Sequence, residues 1–177
     1  MTAITHYPSP LGTLLLAADD QGLTHLALPG QRYQPIFSDT VYEKTDLPIF
    51  AETRHWLDQY FSGTAPSAFP PLHPQGSTFQ LTVWQLLLTI PYGETTTYGA
   101  IAREIARMRG LARMSAQAVG GAVGHNPISI IIPCHRVVGA NGSLTGYGGG
   151  IDKKIALLSH EGVDMNHFFV PKKGTAL

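Results

Sequence analysis

Cysteine is nearly absent: Cys134 is the only one in 177 residues. One thiol excludes an intramolecular disulfide framework and any zinc or iron–sulfur site built from several cysteines. It fits a reduced, cytoplasmic setting. The eight histidines show no metal-like spacing, so neither a metal nor another cofactor is expected. Charge is sparse as well. Asp, Glu, Lys and Arg make up 14% of the chain against 44% hydrophobic residues, too apolar a mixture for a disordered protein. No stretch approaches the roughly 18 consecutive apolar residues of a membrane span. The segment Met1–Pro10 lacks the basic region and apolar run of a secretion signal. The composition therefore predicts a soluble protein of one or two domains, long enough to bury a sizeable core.

Net charge is zero, yet it is unevenly spread. Residues 1–99 hold three basic and eight acidic side chains, a net of −5, whereas residues 100–177 hold nine basic and four acidic, a net of +5. A basic half of this kind suits a polyanionic partner, although two ordinary surfaces would give the same count.

The first third reads as β. Ile4–Tyr7, Thr13–Ala17 and Leu23–Leu28 are short apolar or alternating runs, separated by turn chemistry at Ser9–Gly12 and Asp19–Gly22. The spacing of Phe50, Thr53, Trp56, Leu57 and Tyr60 predicts a helix over 49–61. Ser62–Gly76 is dense in Pro and Gly and reads as a linker, which places a domain boundary near 75. Beyond it the pattern is helical. Ser77-Thr-Phe-Gln80 matches a capping box opening a helix to about Leu88, stopped by Ile90-Pro-Tyr-Gly93. Thr97 caps a second helix, Tyr98 to about Met108, with Gly110 at its end. Ser115 caps a third, Ala116 to about Val123.

That third helix, Ala116-Gln-Ala-Val-Gly-Gly-Ala-Val-Gly124, is almost entirely small residues, and each glycine costs roughly 1 kcal/mol of helix propensity. Small side chains admit either a close helix crossing or the narrow groove of a nucleic acid. Two helices joined by a short Gly-bearing turn, with four arginines along them, are similar to a helix-turn-helix.

Next comes Asn126-Pro-Ile-Ser-Ile-Ile-Ile-Pro-Cys-His-Arg-Val-Val138. Its isoleucines predict a buried strand ending at Pro133, with Cys134 at a rigid exit. A cysteine becomes nucleophilic as thiolate, favoured by cations or a His base, and His135 and Arg136 follow at once. Strand neighbours face opposite ways, so Cys134 and His135 cooperate only through a turn or a water. A buried cysteine that is merely a small hydrophobe is the other reading. Thr145–Gly150 is a glycine-rich, tyrosine-bearing loop of the kind that covers a pocket. A last helix, Asp152 to about His160, is expected to turn Lys153 and Lys154 outward and Ile151, Ile155 and Leu158 inward. Glu161 closes it, a candidate to orient an imidazole.

Pro133-Cys-His-Arg-Val137, with Asn126-Pro127, Gly146-Tyr147 and Leu157-Leu-Ser-His-Glu-Gly162, resembles the O6-alkylguanine-DNA alkyltransferase family. Phe79-Gln80, Val83-Trp84, Ile90-Pro-Tyr-Gly93, Thr97-Tyr98 and Ala118-Val-Gly-Gly121 extend the likeness in order over most of residues 77–162. The resemblance implies an α+β protein. A small β-rich, ribonuclease H-like domain (1–75, with the linker) would precede a mainly helical DNA-binding and alkyl-transfer domain (76–177) carrying the helix-turn-helix. It implies a monomer that needs no obligate protein partner. Such a protein binds duplex DNA containing alkylated guanine, flips the O6-methylguanine out of the stack, and accepts the alkyl group on Cys134. O4-methylthymine is a second candidate substrate. In the family's pattern His135 is the base, acting through a water, and Glu161 orients it. The Tyr98 hydroxyl protonates the departing guanine, and Asn126 braces the turn. Backbone groups near Cys134, Val137 and Gly148 read the base edge, Tyr147 lines the pocket, and Arg136 joins the DNA- and base-binding set. Ala118 and Gly121 lie on the helix that enters the minor groove.

Displacement at a methyl carbon forms a thioether that water does not hydrolyse, and no second thiol resolves it, so the protein acts once per lesion. The sequence departs from the family at Gln117, where an arginine usually fills the gap left by the flipped base. The connection Arg107–Met114 is also longer than usual. Arg113, four residues before Gln117, could reach that gap if the helix begins early. Two other functions fit fewer residues. A cysteine hydrolase would turn over repeatedly, and a non-enzymatic sensor of alkylated bases would lack the acceptor thiol.

Overall fold

The computed structural model describes residues 1–172; Lys173, counted in the basic half, and the last four residues of the 76–177 domain lie outside them. The chain forms two compact units. Met1–Gln75 with Pro127–Ile131 makes the first, and Gly76–Asn126 with the chain from Ile132 onward makes the second. Among the described residues, no helix is long and apolar enough to cross a membrane.

The first unit is built on a four-stranded sheet of order β3-β2-β1-β4, formed by β1 (Thr2–Ser9), β2 (Gly12–Ala18), β3 (Leu23–Ala27) and β4 (Val41–Glu43). β1, β2 and β3 are the antiparallel meander that the alternation predicts. The Asp19 carboxylate holds its second turn by accepting from the amides of Gln21 (2.9 Å) and Gly22 (3.1 Å). β4 pairs parallel to β1 and is exposed throughout, so no hydrophobic pattern announced it. Helix α1 (Pro48–Phe61), with proline in its first turn, buries Phe50, Trp56, Leu57 and Tyr60. Fully buried Leu14, Leu16, Leu23, Leu26 and Leu57 complete the core, each contributing about 1.5–3 kcal/mol by leaving water.

Two segments then close the free edge of β3. The Leu23 amide donates to Pro71 O (2.8 Å), and the His73 amide donates to Leu23 O (2.8 Å). The proline-rich stretch read as a linker is thus fastened to the sheet at its end. Pro127–Ile131 does the same further along: the Leu26 amide donates to Pro127 O (2.9 Å), and the Ser129 amide donates to Leu26 O (3.0 Å). Covering an edge this way removes a template for unwanted pairing.

The strand expected over Ile128–Ile132 does not form. Only Ile128 makes a β-bridge, and Ile130 takes a left-handed conformation, φ 71°. The four isoleucines are buried to within 1% of full burial, which their hydrophobicity requires and a regular ladder does not. A β-branched residue at positive φ is strained, of order 1–3 kcal/mol.

The second unit contains α2 (Thr78–Leu87), α3 (Tyr98–Arg109), α4 (Ala116–Gly124) and α5 (Ile151–His160), with a short parallel pair of β5 (Thr96–Thr97) and β6 (Val137–Val138). The predicted caps are in place. Ser77 and Gln80 form the complete capping box, Thr97 accepts from the Ala100 amide, Ser115 accepts from the Ala118 amide, and Gly110 closes α3 at φ 64°. α3 and α4 form the helix-turn-helix and pack on α2, and Val83, Leu87, Ile105, Val119 and Val123 of the three helices are buried. Trp84 Nε1 donates to Ala122 O (2.8 Å), tying α2 to the small-residue helix.

Candidate active site

Cys134 is aimed by two tight turns in series. Pro133 (φ −82°, ψ 63°) centres an inverse γ-turn in which the Cys134 amide donates to Ile132 O (2.8 Å). A 3-10 turn over Cys134–Arg136 follows, leading directly into β6. The chain therefore turns at Cys134 instead of leaving a strand, which removes the opposite-faces objection to Cys134 and His135 acting together. Asn126 Nδ2 donates to Ile132 O (2.8 Å), bracing the turn from α4's side.

Cys134 is buried, 6% exposed. Burial pushes the Cys134 thiol up. Asn126, the Lys154 charge and the amides of Cys134 and His135 pull it back toward thiolate. His135 is fully buried, and burial holds its imidazole below the ordinary range, against the pull of Glu161. It is therefore neutral at physiological pH. The Glu161 carboxylate is opposed first by burial, but His135 and Arg136 overcome this and hold it at about 2. A neutral ring beside an ionised carboxylate donates from Nε2 to Glu161 Oε1 (2.6 Å). Nδ1 then carries the lone pair, and it is buried with no hydrogen-bond partner.

Arg136 is placed differently from the expectation. Its guanidinium donates to both Glu161 oxygens (2.8 and 3.0 Å) and to Ile90 O (2.7 Å), and sits over the Tyr92 ring. Three of its five N–H donors are spent on a buried carboxylate and a carbonyl, so in this structure Arg136 clamps Glu161 instead of facing outward as a DNA-binding side chain would. The Gly93 amide adds a fourth hydrogen bond, donating to Glu161 Oε2 (3.1 Å). Gly93 has φ 78°, and a Cβ there would lie 3.0 Å from Glu161 O, so Ile90–Gly93 is both a helix stop and a carboxylate cradle.

Lys154 reverses a second expectation. Far from pointing outward, it is fully buried, and its Nζ donates to Val137 O (2.6 Å) and Thr145 O (3.0 Å). Burial lowers it to about 8, with the Cys134 thiolate opposing. It spans the two sides of the loop that faces the thiol. The signal was present: residue 154 lies three after Ile151 and four before Leu158, on the inward stripe.

The Tyr98 hydroxyl, on a buried side chain, donates to Thr145 O (3.1 Å). Burial, and then the Cys134 charge, push its ionisation up. Tyr147 is also buried, and burial first, then the charge of Cys134 and a hydrogen bond with it, raise its hydroxyl too. Val137 is buried in β6, and Gly148 lies half-exposed in the loop. On α4, Val119, Ala122 and Val123 face the core, whereas Gln117 and Ala118 are exposed. A Cβ on Gly121 would meet nothing within 4 Å. Packing thus accounts for one face of this helix and leaves its small outer face unexplained. Arg113 is exposed and precedes the Ser115 cap, so the early helix start that would carry it to Gln117 does not occur. Among the described residues, no three His, Cys, Asp or Glu side chains could hold a metal ion.

Residues 78–163 match the family model described as the DNA binding domain of 6-O-methylguanine DNA methyltransferase, and residues 3–72 match its ribonuclease-like domain. The chain belongs to this family. The methylated-DNA–protein-cysteine methyltransferase of Haemophilus influenzae is 43% identical over 91% of this chain and 88% of its own length. The protein of the same name from Mycolicibacterium paratuberculosis is 49% identical over 86% and 88%. Among solved structures, Mycobacterium tuberculosis OGT in complex with DNA superimposes with a TM-score of 0.79 at 44% identity, over 90% of this chain and 93% of that one. The α+β architecture of this methyltransferase family, with a ribonuclease-like part ahead of a helical one, agrees with the expectation from sequence.

Proposed function

We propose that this protein repairs DNA by taking the alkyl group of O6-methylguanine irreversibly onto Cys134, once per molecule. The observation that carries the reading is the orphaned, buried Nδ1 of His135, the residue that follows Cys134 in the same tight turn, in a ring whose other nitrogen is fixed by Glu161. A water between Nδ1 and Sγ would give that nitrogen its missing partner and pass it the thiol proton. The thiolate then attacks the methyl carbon from behind, the S–C bond forming as the C–O6 bond breaks. The Tyr98 hydroxyl donates a proton to the leaving guanine and recovers one from the proton held at His135, so the thiol proton replaces the methyl group on the base. Asn126 and Lys154 stabilise the thiolate that burial opposes.

Residues 76–177 act as the DNA-binding and alkyl-transfer domain, with the small outer face of α4 (Ala118, Gly121) entering the minor groove and Gln117 at the gap left by the flipped base. Val137, Tyr147 and Gly148 form the base pocket. The protein acts as a monomer in the cytoplasm, where a lone thiol stays reduced. Intact mass spectrometry after mixing with a duplex containing O6-methylguanine tests this. One CH2 increment on Cys134 is expected. An unmodified thiol, or repeated turnover on an ester, would overturn it.

A further inference from the structure

A groove of about 780 Å³ opens beside the first turns of α3 and α4, lined by Tyr98, Gly99, Ala116, Gln117, Asn141 and, further along α3, Arg103. Of all the residues that line it, Arg103 alone carries a charge. Its neighbours in sequence are committed elsewhere: Arg107 is bonded to Glu104 (2.6 and 2.9 Å), and Arg109 lies over the Phe79 ring with Nη2 against Thr82. Among the described residues nothing pairs with the Arg103 guanidinium. Helical side chains lean toward the helix N-terminus, and Arg103 does so strongly. Its Nη1 lies 3.5 Å from where a Cβ on Gly99 would stand, one turn back. The missing side chain at Gly99 thus lets the cation lie against the helix, next to Tyr98 and opposite Gln117.

We propose that Arg103 clamps a backbone phosphate of the lesion-bearing strand at this groove and positions the flipped nucleotide for Tyr98 and Cys134. This rests on the repair reading above. An unpaired guanidinium presents a fork that fits a phosphodiester, and no carboxylate in the groove competes for it. The clamp also supplies the positive charge that Gln117 does not bring to this part of the interface. Arg103 is a positioning residue, since it lies five residues beyond Tyr98 on α3 and would hold the strand away from the reacting atoms.

The test is the salt dependence of binding to a duplex containing O6-methylguanine, measured by fluorescence anisotropy in a Cys134→Ser background so that the complex does not react. Each phosphate contact contributes about 0.9 to the slope of log affinity against log salt. Arg103→Gln is expected to flatten that slope by about 0.9, so that raising salt from about 50 to about 200 mM weakens the variant about 3.5-fold less than the parent. Arg103→Lys retains the charge and keeps the slope. Lys44→Gln, which removes an exposed cation of the first unit, also keeps it. An unchanged slope in Arg103→Gln, an equal flattening in Lys44→Gln, or a flattened slope in Arg103→Lys would each overturn the clamp. The repair reading is judged separately by the alkyl mark on the wild-type thiol. With that mark present and the slopes equal, only the role of Arg103 falls.

Discussion

Replacing Glu161 by Gln tests the buried cluster that the active site is built around. In the wild type the carboxylate accepts from His135, twice from Arg136 and from Gly93, and it is held at about 2 against an ordinary 4.5. At about 1.36 kcal/mol per pKa unit, that gap corresponds to roughly 3 kcal/mol of stability. The sign follows from the direction. A carboxylate lowered in the folded state contributes fully above 4.5, and the contribution is lost as pH falls from 4.5 toward 2. Glutamine also leaves the buried Arg136 guanidinium without a counter-charge, a loss of about 3–5 kcal/mol in comparable sites. Glu161→Gln is therefore expected to lose about 3 kcal/mol at pH 7, a fall in Tm of about 6–12 °C for a chain this long. Urea unfolding of both proteins between pH 7 and about 2.5 is the assay, with the gap between them narrowing below about pH 4.5. Transfer should fall by about 10²–10⁴-fold, because the amide no longer selects the His135 tautomer with its lone pair on Nδ1. A variant within 1 kcal/mol of wild type at pH 7, or a gap that persists unchanged in acid, refutes the reasoning.

Tyr98→Phe should slow transfer by about 10²-fold with stability changed by less than about 1 kcal/mol, since Thr145 O keeps its bond from Lys154; equal single-turnover rates would remove the proton-donor role. Lys154 is lowered in the folded state, so wild-type stability should rise with pH from about 8 to 10.5, by about 1.36 kcal/mol per unit. Lys154→Met should abolish that rise in paired denaturation curves and move the acid limb of the transfer rate to higher pH. Gln117→Arg should speed base flipping, read from the fluorescence of a base analogue beside the lesion. Unchanged affinity together with unchanged rate would rule out a gap-filling role at this position.

Much of the fold could be read from local signals because the physics there is local. Caps at Ser77, Thr97 and Ser115, the Gly110 stop and the alternation over residues 2–27 each depend on a few adjacent residues. The run Ile128–Ile132 misled because an apolar run reports burial and not backbone conformation; left-handed Ile130 is paid for by its surroundings. Three-residue β4 carries too little pattern to find. At the site, Cys134, His135, Glu161, Tyr98 and Asn126 could be named from the family resemblance, as could the pairing of His135 with Glu161, whereas the other partners could not. Lys154 and Arg136 were read as outward or DNA-facing because charge ordinarily means solvent. Both are buried against carbonyls or a carboxylate that only the folded chain brings near.

The return of Pro127–Ile131 to the first unit has a topological consequence. The peptide that completes the edge of β3 is encoded more than fifty positions downstream of Gln75, between α4 and Cys134. A ribosome that has released only the amino-terminal portion has delivered a sheet whose Leu26 amide and carbonyl still await their mates. Maturation of the meander is thereby deferred until the stretch immediately ahead of the nucleophile has emerged, and no single cut in the gene yields two self-sufficient halves.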